Sequence, residues 1–243
     1  FGPFWRYESP QKGRSREFFQ WNVDLLGIDS PEADAELAAV MVSFFKKVGL
    51  SPEQVQVMIN NRRLVDGQLR KLEIPPERRG EIFRLIDKRD KLEDSEWESY
   101  AGDLDLSTSQ LDGLKTMLED KALWQESEEL VRFFQAIEAL EVKEYVQFAP
   151  AIIRGLDYYT GTVFEAQAMT ADIRRAVLGG GRYDNLLADV GGDPLPGVGF
   201  AMGDMVLAIV LEELGLLPES RGATPADVLV TVFDEDTLLP SYT

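Results

Sequence analysis

No cysteine and no histidine occur among the 243 residues, and each absence closes off chemistry. Without cysteine there is no disulfide, no thiolate nucleophile and no cysteine-based zinc site; without histidine there is no imidazole general base and no imidazole ligand for a transition metal. Oxygen ligands remain, so a bound metal is expected to be Mg²⁺ or a similar hard cation. The chain also lacks any run of about 18 apolar residues, and its start, "FGPFWRYESP", has neither a basic nor an apolar leader. A soluble, cytoplasmic protein with no membrane partner is the expectation. Positive charge is scarce too: 25 Lys and Arg against 43 Asp and Glu give a formal net charge of −18. That argues against a surface coated for nucleic acid, while leaving room for a local basic groove.

What is present suffices for a real core, with 44% hydrophobic and 10% aromatic residues. Opening inside a motif and closing just after a strand signal, "ADVLVTVF", the chain reads as part of a longer protein. Residues 4 to 26 read as a strand, a basic loop and a returning strand. Ser30 and Pro31 then start a helix with Leu37, Val40, Met41, Phe44, Phe45 and Val48 at helical spacing, and Gly49 stops it. "VQVMIN" at 55 to 60 alternates like a strand. From about 63 to 145 the composition becomes charged and mainly helical, including a stripe of Leu130, Phe133, Phe134, Ile137 and Leu140. Strands return afterwards, and "PGVGFAMGDMVLAIVLEELGLLPE" reads as a strand, glycine turns and a buried helix. Strands on both sides of a helical insert favour an α+β fold with a mixed, largely antiparallel sheet.

Two glycine-rich segments fail as nucleotide loops. "GGGRYDN" lacks the G-x-x-x-x-G-K-[ST] pattern, and "GVGFAMG" spaces its glycines wrongly for G-x-G-x-x-G. "DLDLSTSQLDGL" has alternating acids, but Thr108 and Leu114 stand where a calcium loop needs Gly and Glu, so a helix start is the better reading. More specific is "FWRYESPQKGRSREFFQWNVD". Arg6 and Glu8 share one strand face, Gln20, Asn22 and Asp24 share a face of the returning strand, and Lys12, Arg14 and Arg16 lie in the loop between. A solvated sheet face is the competing reading for any one of these, weakened by the aromatics Trp5, Phe18, Phe19 and Trp21 around them. The run "APAIIRGLDYYTGTVFEAQ", residues 149 to 167, reads as a strand with Arg154 on one side and Asp157 and Tyr159 on the other. Several polar groups at one inward place require partners, and a ligand is one such partner; an arginine fork suits a phosphate.

These residues carry a resemblance. "RYESPQKGRSREFFQ" looks like motif 2 of class II aminoacyl-tRNA synthetases in its histidyl form, while "RGLDYYTGTVFE" and "GGGRYDNL" resemble the two histidine-specific signatures of histidyl-tRNA synthetases. The resemblance implies a class II antiparallel sheet of six strands flanked by helices, and a homodimer in the complete protein. Residues 1–62 would begin the catalytic core, 63–145 form a helical insertion, 146–221 complete the core, and 222–243 start an anticodon-binding-like domain. It further implies that L-histidine and ATP, with Mg²⁺, form histidyl-adenylate and pyrophosphate, and that the histidyl group passes to the 3′ end of the histidine tRNA. Positioning and cations aimed at phosphate charge suffice for such chemistry, without a protein nucleophile.

Residue by residue, the resemblance assigns Arg6 and Arg154 to the α-phosphate and Glu8 to the nucleotide. Gln20 would orient the substrate's polar end, making Arg6, Gln20 and Arg154 the catalytic set. Asp24, Tyr159 and Tyr183 would surround the imidazole. Lys12, Arg14 and Arg16 would meet the tRNA acceptor end. One departure stands out: where the family's third motif reads Gly-x-Glu-Arg-Leu, this chain has "GDMVL", with Met205 and Val206 in place of the acid and the arginine. Arg174, Arg175 and Arg182 are the candidates to replace that arginine. Val206 also keeps a second reading open, the synthetase-like regulatory subunit of ATP phosphoribosyltransferase, which aminoacylates nothing.

Overall fold

The structure is a computed structural model, described here for residues 1–242 apart from 8, 10–12, 90, 91, 154–157, 170–175 and 219–229. Its strands are β1 (Gly2–Trp5), β2 (Glu17–Leu26), β3 (Val55–Asn61), β4 (Val146–Phe148), β5 (Thr162–Ala168), β6 (Ala176–Arg182) and β7 (Gly197–Gly203). They form one sheet in the order β1-β2-β7-β6-β5-β3-β4, antiparallel at every step except β3 to β4. Among the described residues that is one strand more than the six the resemblance implies, the addition being the short parallel β4 at the far edge. Helix α1 (Pro31–Lys47) joins β2 to β3. Between β3 and β4 run α2 (Arg62–Lys71), α3 (Arg79–Asp87), α4 (Asp94–Gly102), α5 (Thr108–Glu119) and α6 (Glu128–Ala139). The short α7 (Leu186–Asp189) follows β6, and α8 (Asp204–Glu213) leaves β7 directly.

Local chemistry explains the helix ends. Ser30 caps α1 by accepting from Ala33 N–H, with Pro31 at the first helical position, and Gly49 at φ +83° adopts the left-handed conformation that ends the helix. Ser107 and Gln110 form a reciprocal capping box on α5, which settles the acidic "DLDLSTSQ" segment as a helix start. Leu37, Met41 and Phe45 of α1 are buried with Leu130, Phe133 and Ile137 of α6 in one core, and a fork of Arg132 on Glu32 ties the two helices at their surface.

The sheet has two unlike faces. Strand alternation sends Val55, Val57, Ile59, Phe164, Ala166, Leu178, Val198, Phe200 and Met202 into the core beneath the helices. The opposite face carries Gln20, Asn22 and Asp24 of β2 next to Gly203, Ala201 and Gly199 of β7, then Gly181 of β6 and Val163 of β5. Two expectations change here. Gly197, Gly199 and Gly203 are strand residues of β7, since the chain turns only beyond them. Residues 149–153 and 158–161 are turns and coil, with β5 starting at Thr162. Pro150 lacks the N–H a ladder needs, and its carbonyl is instead held by Asn60 Nδ2 at 2.8 Å.

Candidate active site

The glycine-floored face is the candidate site because its glycines make room for side chains lying flat on the sheet. A Cβ on Gly181 would stand 2.8 Å from the Tyr159 ring, and one on Gly197 would stand 2.5 Å from the Tyr183 ring. At Gly199 an added Cβ would overlap Asp24 Oδ1 and come within 3.0 Å of the Tyr183 hydroxyl. Tyr159, Tyr183 and Asp24 thus occupy space that any larger residue would fill. Beside them the floor is open: a Cβ on Gly203 or Gly2 would meet nothing within 4 Å.

Asp24 of β2 and Tyr183, the residue after β6, are distant in sequence and meet directly, the phenol donating to Asp24 Oδ1. Burial, followed by that hydrogen bond to a carboxylate, pushes the Tyr183 phenol far above its ordinary 10.0 and keeps it a donor. Tyr158 bridges the two signature tyrosines, its ring centroid 4.7 Å from Tyr159 and 6.3 Å from Tyr183. Tyr159 itself is buried against Met58, Ile152 and Val163.

At the other end of the face, Gln20 lies opposite Gly203, four residues and about 13 Å along β2 from Asp24. Arg6 follows β1 immediately. Its N–H donates to Arg16 O at 2.9 Å, continuing the hairpin, and its guanidinium sits 4.7 Å above the Phe18 ring. Arg14 and Arg16 are exposed on the loop of that hairpin. Glu8, Lys12 and Arg154 lie outside the described residues, as do Arg174 and Arg175. Met205 is exposed on the first turn of α8. Val206 packs under the basic loop, where a Cβ on Gly13 would stand 3.3 Å from its methyl group. An apolar prop therefore occupies the position at which the family pattern has an arginine.

Arg182 does not replace that arginine. It is 2% exposed, its Nε and Nη2 grip Asp34 of α1, and its remaining hydrogens go to Ile28 O, Ser30 O, Asp29 and Asp184. Every arm of the fork is used below the sheet surface, so none reaches a phosphate above it. Burial pushes the Asp34 carboxyl up, against the pull of the guanidinium.

A family model for histidyl-tRNA synthetase matches residues 1–204. The chain belongs to the histidyl-tRNA synthetase family. Among curated relatives, the histidine–tRNA ligase of Haloarcula marismortui is 37% identical, over 93% of this chain and 55% of its own length. The chloroplastic/mitochondrial histidine–tRNA ligase of Arabidopsis thaliana is 36% identical, over 90% of this chain and 47% of its own. The chain therefore spans about half the length of these relatives. A histidyl-tRNA synthetase from Nostoc sp. PCC 7120 superposes with a TM-score of 0.77 at 24% identity, over 93% of this chain and 57% of that one. A Bacillus halodurans protein, described as an ATP phosphoribosyltransferase regulatory subunit/histidyl-tRNA synthetase, superposes with a TM-score of 0.70 at 25% identity, over 88% and 57%. The fold is thus that of the histidyl-tRNA synthetases.

In this member of the family, sequence reading missed the residues that hold the site from behind. Asp34 and Asp184 stand among many acids, and nothing in their spacing marks them as partners of one buried arginine. A further concave feature lies elsewhere among the described residues. A cavity of about 550 Å³ opens between α4, α5 and the segment 147–152, with Arg89, Lys115 and Lys121 among its lining. Asp94 pairs with Arg89 and Glu98 with Lys115, so most of its positive charge is already matched and it is a weaker candidate for anion chemistry than the glycine floor. No helix among the described residues is long and apolar enough to cross a membrane.

Proposed function

We propose that the complete protein is a cytoplasmic histidine–tRNA ligase, which activates L-histidine with ATP to histidyl-adenylate and pyrophosphate and then transfers the histidyl group to the 3′ end of the histidine tRNA. The observation that carries this reading is the Asp24–Tyr183 pair lying beside Tyr159 on a glycine floor. A neutral imidazole has one N–H donor and one nitrogen acceptor. Asp24 would accept from the first, and a tyrosine hydroxyl would donate to the second. An analogue lacking either nitrogen would forgo one of these hydrogen bonds, which is how such a site discriminates.

With the imidazole at Asp24, the histidine carboxylate points along β2 toward Gln20 and Arg6. There the open floor at Gly203 and Gly2 accommodates ATP, and Arg6, with Arg154, would neutralise charge on the α-phosphate as the carboxylate oxygen attacks the phosphorus and pyrophosphate leaves. Glu8 is proposed to contact the nucleotide, and Lys12, Arg14 and Arg16 the acceptor end of the tRNA. Mg²⁺ would be held at the phosphate oxygens of ATP, the hard-oxygen donors that it prefers. A homodimer is also proposed. Phe1, Trp5 and Phe19 stand exposed beside the outer edge of β1, the kind of apolar edge a second copy would cover.

ATP–pyrophosphate exchange on the complete protein, with each amino acid in turn, tests the reading. Exchange with histidine alone is expected, and Asp24→Asn should raise the histidine KM about tenfold or more. The second reading, a histidine-binding regulatory subunit, is favoured by Val206 at the position of the third-motif arginine and by the name of the Bacillus halodurans neighbour. Tight histidine binding without any exchange would select it.

A further inference from the structure

We propose that Asp184 is a positioning residue that couples the helical segment between β3 and β4 to the pocket of Tyr159 and Tyr183. The proposal rests on the histidine-pocket reading above and deepens it, by naming what holds the two tyrosines in register. Asp184 directly follows Tyr183, and Thr160 directly follows Tyr159. The Thr160 hydroxyl donates to Asp184 Oδ2 at 2.7 Å, while Asp184 N–H donates back to Thr160 Oγ1 at 3.1 Å. Thr160 N–H donates to Arg182 O at 2.8 Å, and Arg182 Nη1 donates to Asp184 Oδ1 at 3.0 Å. Two tyrosine-bearing turns, from separate signatures, are thereby closed on each other around one carboxylate.

The same carboxylate reaches outward. Arg63, in the first turn of α2, donates to Asp184 Oδ2 at 2.8 Å through Nη2 and to Glu129 Oε1 at 2.5 Å through Nη1. Glu129 belongs to the first turn of α6, and its other oxygen accepts from Asn61 Nδ2 at 2.7 Å, the side chain that also caps α2. A continuous polar path therefore runs from α6 through Glu129, Arg63 and Asp184 to Thr160 and its neighbour Tyr159. Arg63 is 45% exposed and its links are screened by water, whereas Asp184 is 19% exposed and occupied on both oxygens. Neutralising Asp184 should therefore disturb the pocket more than removing Arg63. Because coupling is reciprocal, a histidine that fixes the tyrosines also favours the docked position of α2 and α6.

The test uses the complete protein with Asp184→Asn, Arg63→Ala, Arg63→Lys and the double variant Arg63→Ala/Asp184→Asn. Two readouts are needed: histidine KM and kcat in ATP–pyrophosphate exchange, and hydrogen exchange of the Thr160 amide without histidine. Asp184→Asn should raise the histidine KM about tenfold with kcat changed less than about twofold, the scale of one charge-assisted hydrogen bond. Arg63→Ala should raise KM about threefold, Arg63→Lys should recover part of it, and the double variant should be no worse than Asp184→Asn alone. Faster Thr160 exchange should accompany each loss. An unchanged KM, strictly additive effects, or a Thr160 amide as protected as in the wild type would overturn the proposal. Wild-type protein that neither binds nor activates histidine would refute the functional reading instead, and the amide-exchange arm would still decide the coupling. Should Asp184→Asn fail to fold, Arg63→Ala at its exposed site carries both readouts.

Discussion

The two faces of the sheet obey opposite packing rules on the same strands. Toward the helices, Phe164, Phe200 and Met202 fill space completely, as close-packed interiors require. Toward the site, Gly181 and Gly199 make room for Tyr159, Tyr183 and Asp24 to lie over the sheet, and Gly203 leaves its space open. One face exchanges volume for stability, and the other holds volume open for a ligand. A substitution of the same chemical size should accordingly register in different observables depending on the face it enters.

Arg182 joins the two regimes, and removing it is the severest way to break the comparison. Arg182→Ala would leave Asp34 buried without its partner and should cost about 3–5 kcal/mol in unfolding free energy, measured by denaturant titration. That deficit should shrink as the pH falls, because the orphaned carboxyl can take up a proton. Next in size is Gly180→Ala, which enters the helix-side face. Its Cβ would stand 2.7 Å from Phe200 Cα, and backbone cannot rotate away, so a loss of about 3 kcal/mol is expected.

Gly199→Ala sharpens the contrast from the other side. The overlap there is with the exposed end of Asp24, which can swing aside with little cost to the fold, but the Asp24–Tyr183 pair would be lost. Thermal stability should change little, while histidine affinity, by calorimetry, should fall about 30-fold, or about 2 kcal/mol. If Gly199→Ala instead unfolded the protein and spared affinity, the face would be structural rather than a ligand floor.

The smallest effect expected is spectroscopic. With its pKa raised in the folded state and ordinary in the unfolded one, Tyr183 contributes stability that is fully present below pH 10.0 and is lost as pH rises beyond it. Between about pH 9 and 11, the native tyrosinate absorbance of Tyr183→Phe should match that of the wild type. A difference of one tyrosine would show that the phenol ionises normally and that the bond to Asp24 is weak.

Much of this was legible in the sequence because it depends on near neighbours. Helical spacing marked α1 and α6, Ser30 announced α1, the failed calcium pattern of "DLDLSTSQLDGL" pointed to a helix start, and alternation put Gln20, Asn22 and Asp24 on one face of β2. The resemblance placed Asp24 and Tyr183 in one pocket, and β2, which carries the first, and β6, which ends just before the second, both pair with β7. Residues 149–153 and 158–161 do not form the strand the sequence suggests, because apolar content alone does not distinguish a strand from a packed turn, and Pro150 removes a ladder donor. The sequence by itself determined α1, α6, the strands β2 and β3, the polar stripe and the family. Only the tertiary structure decided that glycines in β6 and β7 form a floor, that Arg182 is a buried strut rather than a phosphate ligand, and that Asp184 faces Thr160 and Arg63. Those facts depend on the register between strands and helices separated by up to about 150 residues, and register is set by the whole core at once rather than by any local pattern.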